Sequence, residues 1–169
     1  MDLKKFIRSI PDYPKKGILF RDITTLIKDE KAFEETINQI VERSKKFDFN
    51  KIAAIESRGF VFASAVSYIL KKPFIMLRKK NKLPSDTHSV DFELEYGTAT
   101  IEVHKDSINK NDKVLIIDDL IATGGTAEAA AKLVKISDGN VAAFVFVINL
   151  FDLGGCKKLI EKGYEVENL

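Results

Sequence analysis

The sequence predicts an α/β fold with a central, mostly parallel sheet flanked by helices, and three observations carry that reading. Four short runs of β-branched and aliphatic residues, 52–55, 74–77, 114–117 and 141–148, have the composition of strands buried on both faces. Helical segments follow the first, third and last of them, at 59–70, 126–136 and 155–162, which is the alternation that builds a parallel sheet. Glycine, proline and polar punctuation falls between these segments, and no repeat, linker or low-complexity tract interrupts them.

Taken in order, Leu3, Phe6, Ile7 and Ile10 recur at helical spacing, so a short amphipathic helix is expected at the N-terminus. Pro11 and Pro14 stop it and force an extended entry into 17–24. Phe33, Ile37, Ile40 and Val41 share one face of a helix running from Asp29, its N-cap, to about Phe47. Segment 98–103 alternates polar and apolar residues and suits an exposed or edge strand. Segment 79–91, KKNKLPSDTHSVD, holds almost no apolar residue and reads as a disordered excursion or a functional lid.

The length of 169 residues fits a single domain. With 45% apolar and 31% charged residues the chain can build a core, and a net charge of +2 excludes the heavily basic surface of a dedicated nucleic-acid binder. Cys156 is the only cysteine, which excludes an intrachain disulfide and a cysteine-rich metal cage and fits a reducing compartment. The longest wholly apolar run, 141–148, is far below the roughly 20 residues a membrane helix needs. The start, MDLKKFIRSI, carries charge in every turn and is not a signal peptide, so a cytoplasmic protein with no membrane partner is expected.

In open parallel sheets ligands sit beyond the carboxyl ends of the strands. The strongest local signal lies there, after the third strand: Asp118, Asp119, then Ala122, Thr123, Gly124, Gly125 and Thr126 opening a helix. Two glycines and two threonines at a helix start let the backbone bend tightly and turn N–H groups and hydroxyls toward one anion, helped by the helix dipole. A phosphate monoester suits that cup. No lysine follows the glycines and no GxGxxG spacing is present, so neither a nucleotide P-loop nor a dinucleotide fold is supported. Adjacent strand residues face opposite ways, so Asp118 and Asp119 have different tasks unless the strand has ended: one toward vicinal ribose hydroxyls, the other toward a metal-bound water or a backbone N–H. Two acids at a strand end are otherwise simply solvated, or cap the next helix; the cup beside them argues for a site.

The segment VLIIDDLIATGGT (114–126) resembles the phosphoribosyl-pyrophosphate (PRPP) signature of type I phosphoribosyltransferases. GILFRDIT (17–24), ESRGF (56–60), RKKNKLP (78–84), LEYGT (94–98) and INLFDLGG (148–155) are together similar to the adenine-specific members of that family, in their order and spacing and over almost the whole chain. The resemblance implies one phosphoribosyltransferase domain over 1–169, with a small N-terminal hood (1–28) and a flexible lid loop (79–91). It implies a reaction of adenine with PRPP to give AMP and pyrophosphate, with Mg²⁺ held mostly by substrate oxygens and waters, possible protein ligands being Asp118 or Asp119. A homodimer is implied as well.

By the same resemblance, Asp118 and Asp119 hold ribose hydroxyls or metal waters, and Ala122 to Thr126 cradle the 5′-phosphate. Ser57, Arg58, Arg78, Lys79 and Lys82 meet the pyrophosphate, the last three at the mouth of the lid. Phe20 stacks on adenine, the backbone of Leu19 and Arg21 reads its Watson–Crick edge, and Leu150 packs on the base. Glu95 handles the proton near the imidazole ring, and Tyr96 closes over the lid region. Read without the family, Arg58 is a partner for Glu56 or Asp22, Phe20 a core residue, Glu95 a surface acid and the lysines a solvated face. His88 and His104 read as surface residues. Two other readings share the signature: a 6-oxopurine phosphoribosyltransferase, and a PRPP- or purine-sensing regulator that binds nucleic acid. The family often has Pro at Lys16, Gly at Ala63 and a more apolar, glycine-rich turn at Ser137-Asp138, and the stop after YEVENL is expected to cost the sheet edge a final strand or tail.

Overall fold

The computed structural model describes residues 1–94 and 97–169. The chain divides into two compact units, Met1–Gln39 and Ile40–Leu169. In the first, β1 (Arg8–Pro11) and β2 (Leu19–Asp22) pair antiparallel with Arg8 opposite Asp22 and Ile10 opposite Phe20. The expected N-terminal helix is corrected: only a 3₁₀ turn, Leu3–Phe6, forms, and Ile10 instead lies on β1 as its one partly buried residue. A spacing of three fits one helical turn, but pairing with β2 satisfies the backbone from Arg8 onward. A short helix α1 (Thr24–Ile27) follows, and α2 (Glu30–Ser44) starts as expected, with the Asp29 carboxylate accepting from the Ala32 N–H at 2.9 Å.

The second unit is built on a seven-stranded sheet. Its strands are β3 (Lys51–Ile55), β4 (Phe74–Lys79), β5 (Thr87–Leu94), β6 (Gly97–His104), β7 (Lys113–Ile121), β8 (Asn140–Asn149) and β9 (Val166–Asn168), in the spatial order β5-β6-β4-β3-β7-β8-β9. Strands β4, β3, β7, β8 and β9 run parallel, whereas β6 joins β4 antiparallel and β5 joins β6 antiparallel. The central strands are buried runs, as their composition requires. The helices α3 (Arg58–Leu70), α4 (Gly125–Ile136) and α5 (Gly155–Glu161) follow β3, β7 and β8.

One face of the sheet gives Ala53, Ile55, Val114, Ile116, Phe144 and Phe146 to a core shared with Ala127, Ala130 and Leu133 of α4. The alanines leave α4 a small buried side that can lie close to the strands. Phe62 and Val66 of α3 are fully buried outside that cluster, and α3 packs against β3 and β7.

One expectation about the sheet edges is corrected. Segment 98–103 is not at an edge: β6 lies inside, covered by β5, a strand that the polar composition of 79–91 concealed. Of that segment, Lys79 ends β4 and Thr87 to Asp91 begin β5. At the other edge β9 pairs with β8 through Phe144–Val166 and Phe146–Asn168. Among the described residues no helix is long and apolar enough to cross a membrane.

Candidate active site

Strand β7 runs on past the predicted end to Ile121, so the two acids still lie on a strand and keep the alternation of its faces. Asp118 is half-buried and Asp119 is buried. The Asp119 N–H donates to Asp118 Oδ1 at 2.9 Å, and Asp119 Oδ2 meets Arg58 Nε at 2.9 Å. Burial, then the charge of Asp119, pushes the Asp118 carboxyl well above the usual carboxylate range. Burial also raises Asp119, with Arg58 opposing it. The pair differs as the alternation requires, one acid open to a ligand and one braced by a guanidinium.

Gly59, the second residue of α3, is where this approach needs glycine. A Cβ there would lie 2.8 Å from Asp118 Oδ1 and 3.1 Å from the Ile117 carbonyl oxygen. Just before it, the Glu56–Ser57 peptide is cis, and Ser57 and Arg58 are exposed.

The turn after β7 forms the expected cup. Gly124 takes φ 88° and caps α4, and Thr123 is exposed while Gly124 is buried. Residues 55–58, the stretch 118–127 and Phe146 enclose a cavity of about 250 Å³. Ligand pockets commonly span roughly 300–1,000 Å³, so this one is small. Thus the structure brings together Ser57, Arg58, Asp118, Asp119 and Ala122 to Thr126.

It does not bring every expected residue there. Arg78 is tied to Glu56, Nε to Oε2 at 3.3 Å, and the Lys79 N–H donates to the same carboxylate at 2.8 Å. Burial alone would raise Glu56, but these partners outweigh it and hold the acid below its usual range. Lys79 and Lys82 are exposed and Leu150 is half-buried; none of these lines the cavity. In the first unit Leu19 is exposed, Phe20 and Arg21 are half-buried, and the Phe20 ring meets Tyr13 edge-on with centroids 5.1 Å apart. Asp22 anchors that hairpin: its carboxylate accepts from the Thr24 hydroxyl at 2.5 Å, from Arg8 Nε at 3.0 Å and from the Thr24 N–H at 2.9 Å. Thr24 first and Arg8 second lower its pKa to about 2. Glu95 and Tyr96 lie outside the described residues.

One site residue escaped the sequence. Gly155 opens α5, and its N–H donates to the Ala122 carbonyl at 3.0 Å. A Cβ on Gly155 would overlap the Ala122 oxygen and come within 2.9 Å of the Gly124 nitrogen, so α5 backs the cup through glycine. The Gly-Gly pair at 154–155 was the available signal, since a paired glycine often marks close backbone approach.

Comparison with known proteins agrees with this geometry. A model of the phosphoribosyl transferase domain matches residues 23–166. An adenine phosphoribosyltransferase of Pelagibacter ubique is 81% identical over 169 residues, covering 100% of this chain and 97% of the relative. The chain belongs to the adenine phosphoribosyltransferase family. The crystal structure of the family member from Thermoanaerobacter pseudethanolicus superposes with a TM-score of 0.94 at 44% identity, covering 99% of this chain and 98% of that one. The Saccharomyces cerevisiae member, solved with adenine and an imino-altritol bisphosphate, superposes with a TM-score of 0.89 at 33% identity, covering 98% and 94%. Membership accounts for the mostly parallel sheet and the small N-terminal hairpin sheet together.

Proposed function

We propose that this protein transfers the phosphoribosyl group of PRPP to adenine, releasing pyrophosphate and forming AMP for purine salvage. The observation that carries the reading is the single cavity in which a glycine-threonine cup, two carboxylates and Arg58 converge. Ala122 to Thr126 seat the 5′-phosphate on N–H groups at the start of α4. Loss of pyrophosphate from C1 leaves an oxocarbenium-like sugar, so acids belong near the pentose and cations near the leaving group. Asp118 and Asp119 supply the first. Arg58 and the backbone of Ser57 to Gly59 supply the second, joined by Arg78 beside the lid 79–91 and by Lys79 and Lys82 within it; the lid shields PRPP from water.

On the base side Phe20 stacks on adenine, a contact worth roughly 1–3 kcal/mol. The backbone of Leu19 and Arg21 distinguishes a 6-amino from a 6-oxo purine because donor and acceptor exchange places and a mismatched buried group is left unpaired. Leu150 packs on the ring, and Glu95 relays the proton that adenine loses as N9 attacks. Among the described residues no three of His, Cys, Asp and Glu gather to hold a metal, while two acids flank the cup. That donor set fits Mg²⁺ held chiefly by substrate oxygens and waters, with Asp118 or Asp119 reaching it; bound there, it neutralises pyrophosphate charge.

The 81% identity to an adenine phosphoribosyltransferase favours this reading over a 6-oxopurine transferase, and the net charge of +2 disfavours a nucleic-acid-binding regulator. The test is pyrophosphate release with each of four purine bases in turn. Turnover with adenine alone is expected; a preference for hypoxanthine or guanine overturns the reading. Glu95→Gln should lower turnover, and unchanged turnover removes the proton relay. A homodimer fits the exposed Val61, Tyr68 and Ile69 on α3 and Met76 on β4, with Tyr68 84% exposed. Tyr68→Glu should shift the mass measured by light scattering toward the monomer, and an unshifted dimer removes that face as the interface. A cytoplasmic location suits the single free thiol of Cys156.

A further inference from the structure

Glu128 lies in the first turn of α4, three residues beyond Gly125. A carboxylate in the first turn adds negative charge to the helix end that receives a phosphate, which by itself weakens anion binding. Here it is largely shielded from solvent, with 15% of its side-chain surface exposed. Oε1 lies 2.8 Å from Lys162 Nζ and 3.2 Å from Lys158 Nζ, the two cations one turn apart on and just after α5. Oε1 is sealed from solvent and receives no well-directed hydrogen bond, so the contact is charge pairing.

The opposite end of α5 touches the cup. Gly155 donates to the Ala122 carbonyl, and Gly124 has no room for a side chain on that neighbour. Helix α5 is therefore fastened twice, by backbone packing to the turn and by two lysines to α4. Its short length makes it depend on such contacts, since a seven-residue helix is marginal alone.

Resting on the function proposed above, we infer that Glu128 is a positioning residue for phosphate recognition: through Lys158 and Lys162 it holds α5 against the turn that seats the 5′-phosphate. The pair also cancels the charge that Glu128 would otherwise set beside the phosphate. Both effects act on the phosphoribosyl half of the reaction and leave the base alone.

The experiment is initial-rate kinetics with PRPP and adenine varied separately, on wild type, Glu128→Gln and Lys158→Met/Lys162→Met, with AMP binding by calorimetry. Glu128→Gln should raise the KM for PRPP and the Kd for AMP by about tenfold, the order expected for slight misplacement of a binding group, with the KM for adenine within about twofold. The lysine variant should show the same split and a larger loss, because it leaves the carboxylate uncompensated beside the phosphate. Adding Glu128→Gln to it should recover part of the PRPP affinity. A fall in Tm with both KM values unchanged, or equal changes for the two substrates, overturns the inference. Should Glu128→Gln fail to fold, the lysine variant alone decides by the same split. A wild type that forms no AMP sinks the parent reading instead, so the two failures are told apart.

Discussion

Two segments leave the carboxyl ends of β7 and β4, the strands on either side of β3, and in the proposed reaction they would meet anions in opposite ways. The turn after β7 is made of backbone, closed by Gly124 at φ 88° and backed by Gly155. The end of β4 and the segment after it offer side chains instead: Arg78 is engaged by Glu56, and Lys79 and Lys82 stand exposed. A backbone cup is formed before the ligand arrives and loses little entropy on binding. Long exposed lysines must be ordered by the ligand, at roughly 0.5–1.5 kcal/mol for each immobilised side chain. In the proposed reaction the first loop would supply phosphate affinity and the second leaving-group capture.

The harshest way to break the contrast is at the glycine behind the cup. Gly155→Ala places a carbon on the Ala122 oxygen, and rigid backbone on both sides cannot yield. Overpacking of this kind costs about 1–3 kcal/mol, so AMP binding should fall by roughly 100-fold in calorimetry and Tm should drop. Unchanged AMP affinity would mean that the cup needs no backing.

Next in size is Asp118→Asn, which should lower turnover by about 100-fold while making the fold more stable. Because burial and Asp119 raise the folded-state pKa of Asp118, its ionised form is penalised in the native protein. Wild type therefore loses stability relative to the variant as pH rises above the ordinary aspartate value of about 4 and through the raised folded value. The variant should melt about 3 °C higher at neutral pH and show no advantage below about pH 4, read by thermal melts across the range. A lower Tm at neutral pH would show that Asp118 stabilises the charged site.

The smallest effect sharpens the other side of the contrast. Lys79→Ala/Lys82→Ala should raise the KM for PRPP by about tenfold, with that difference shrinking in high salt, and leave adenine and AMP nearly untouched. Equal losses for adenine and PRPP would show that the lysines do more than meet pyrophosphate.

Much of the site was legible because its chemistry is contiguous. Asp118 to Thr126 reads as acids followed by a cup since each residue's backbone preference acts on its neighbours. Arg58 could be placed beside an anion but not paired: Glu56 and Asp22 were the nearest readable partners, and the fold chose Asp119. Glu56 instead took Arg78. Strand β5 was hidden because its first three residues, Thr87 to Ser89, continue the polar composition of the segment before it, and the alternation of Val90, Phe92 and Leu94 with Asp91 and Glu93 starts only at the far end of 79–91.

By itself the sequence determined the buried parallel strands, the helices after three of them, and the glycine-threonine turn, for these follow from hydrophobic period and local backbone freedom. Only the tertiary structure decided which acid Arg58 braces, that β6 lies between β4 and β5, and that Gly155 stands under the turn after β7. Those facts join residues far apart in the chain, where no local preference selects a partner and the choice falls to packing, charge and the space left by a missing side chain.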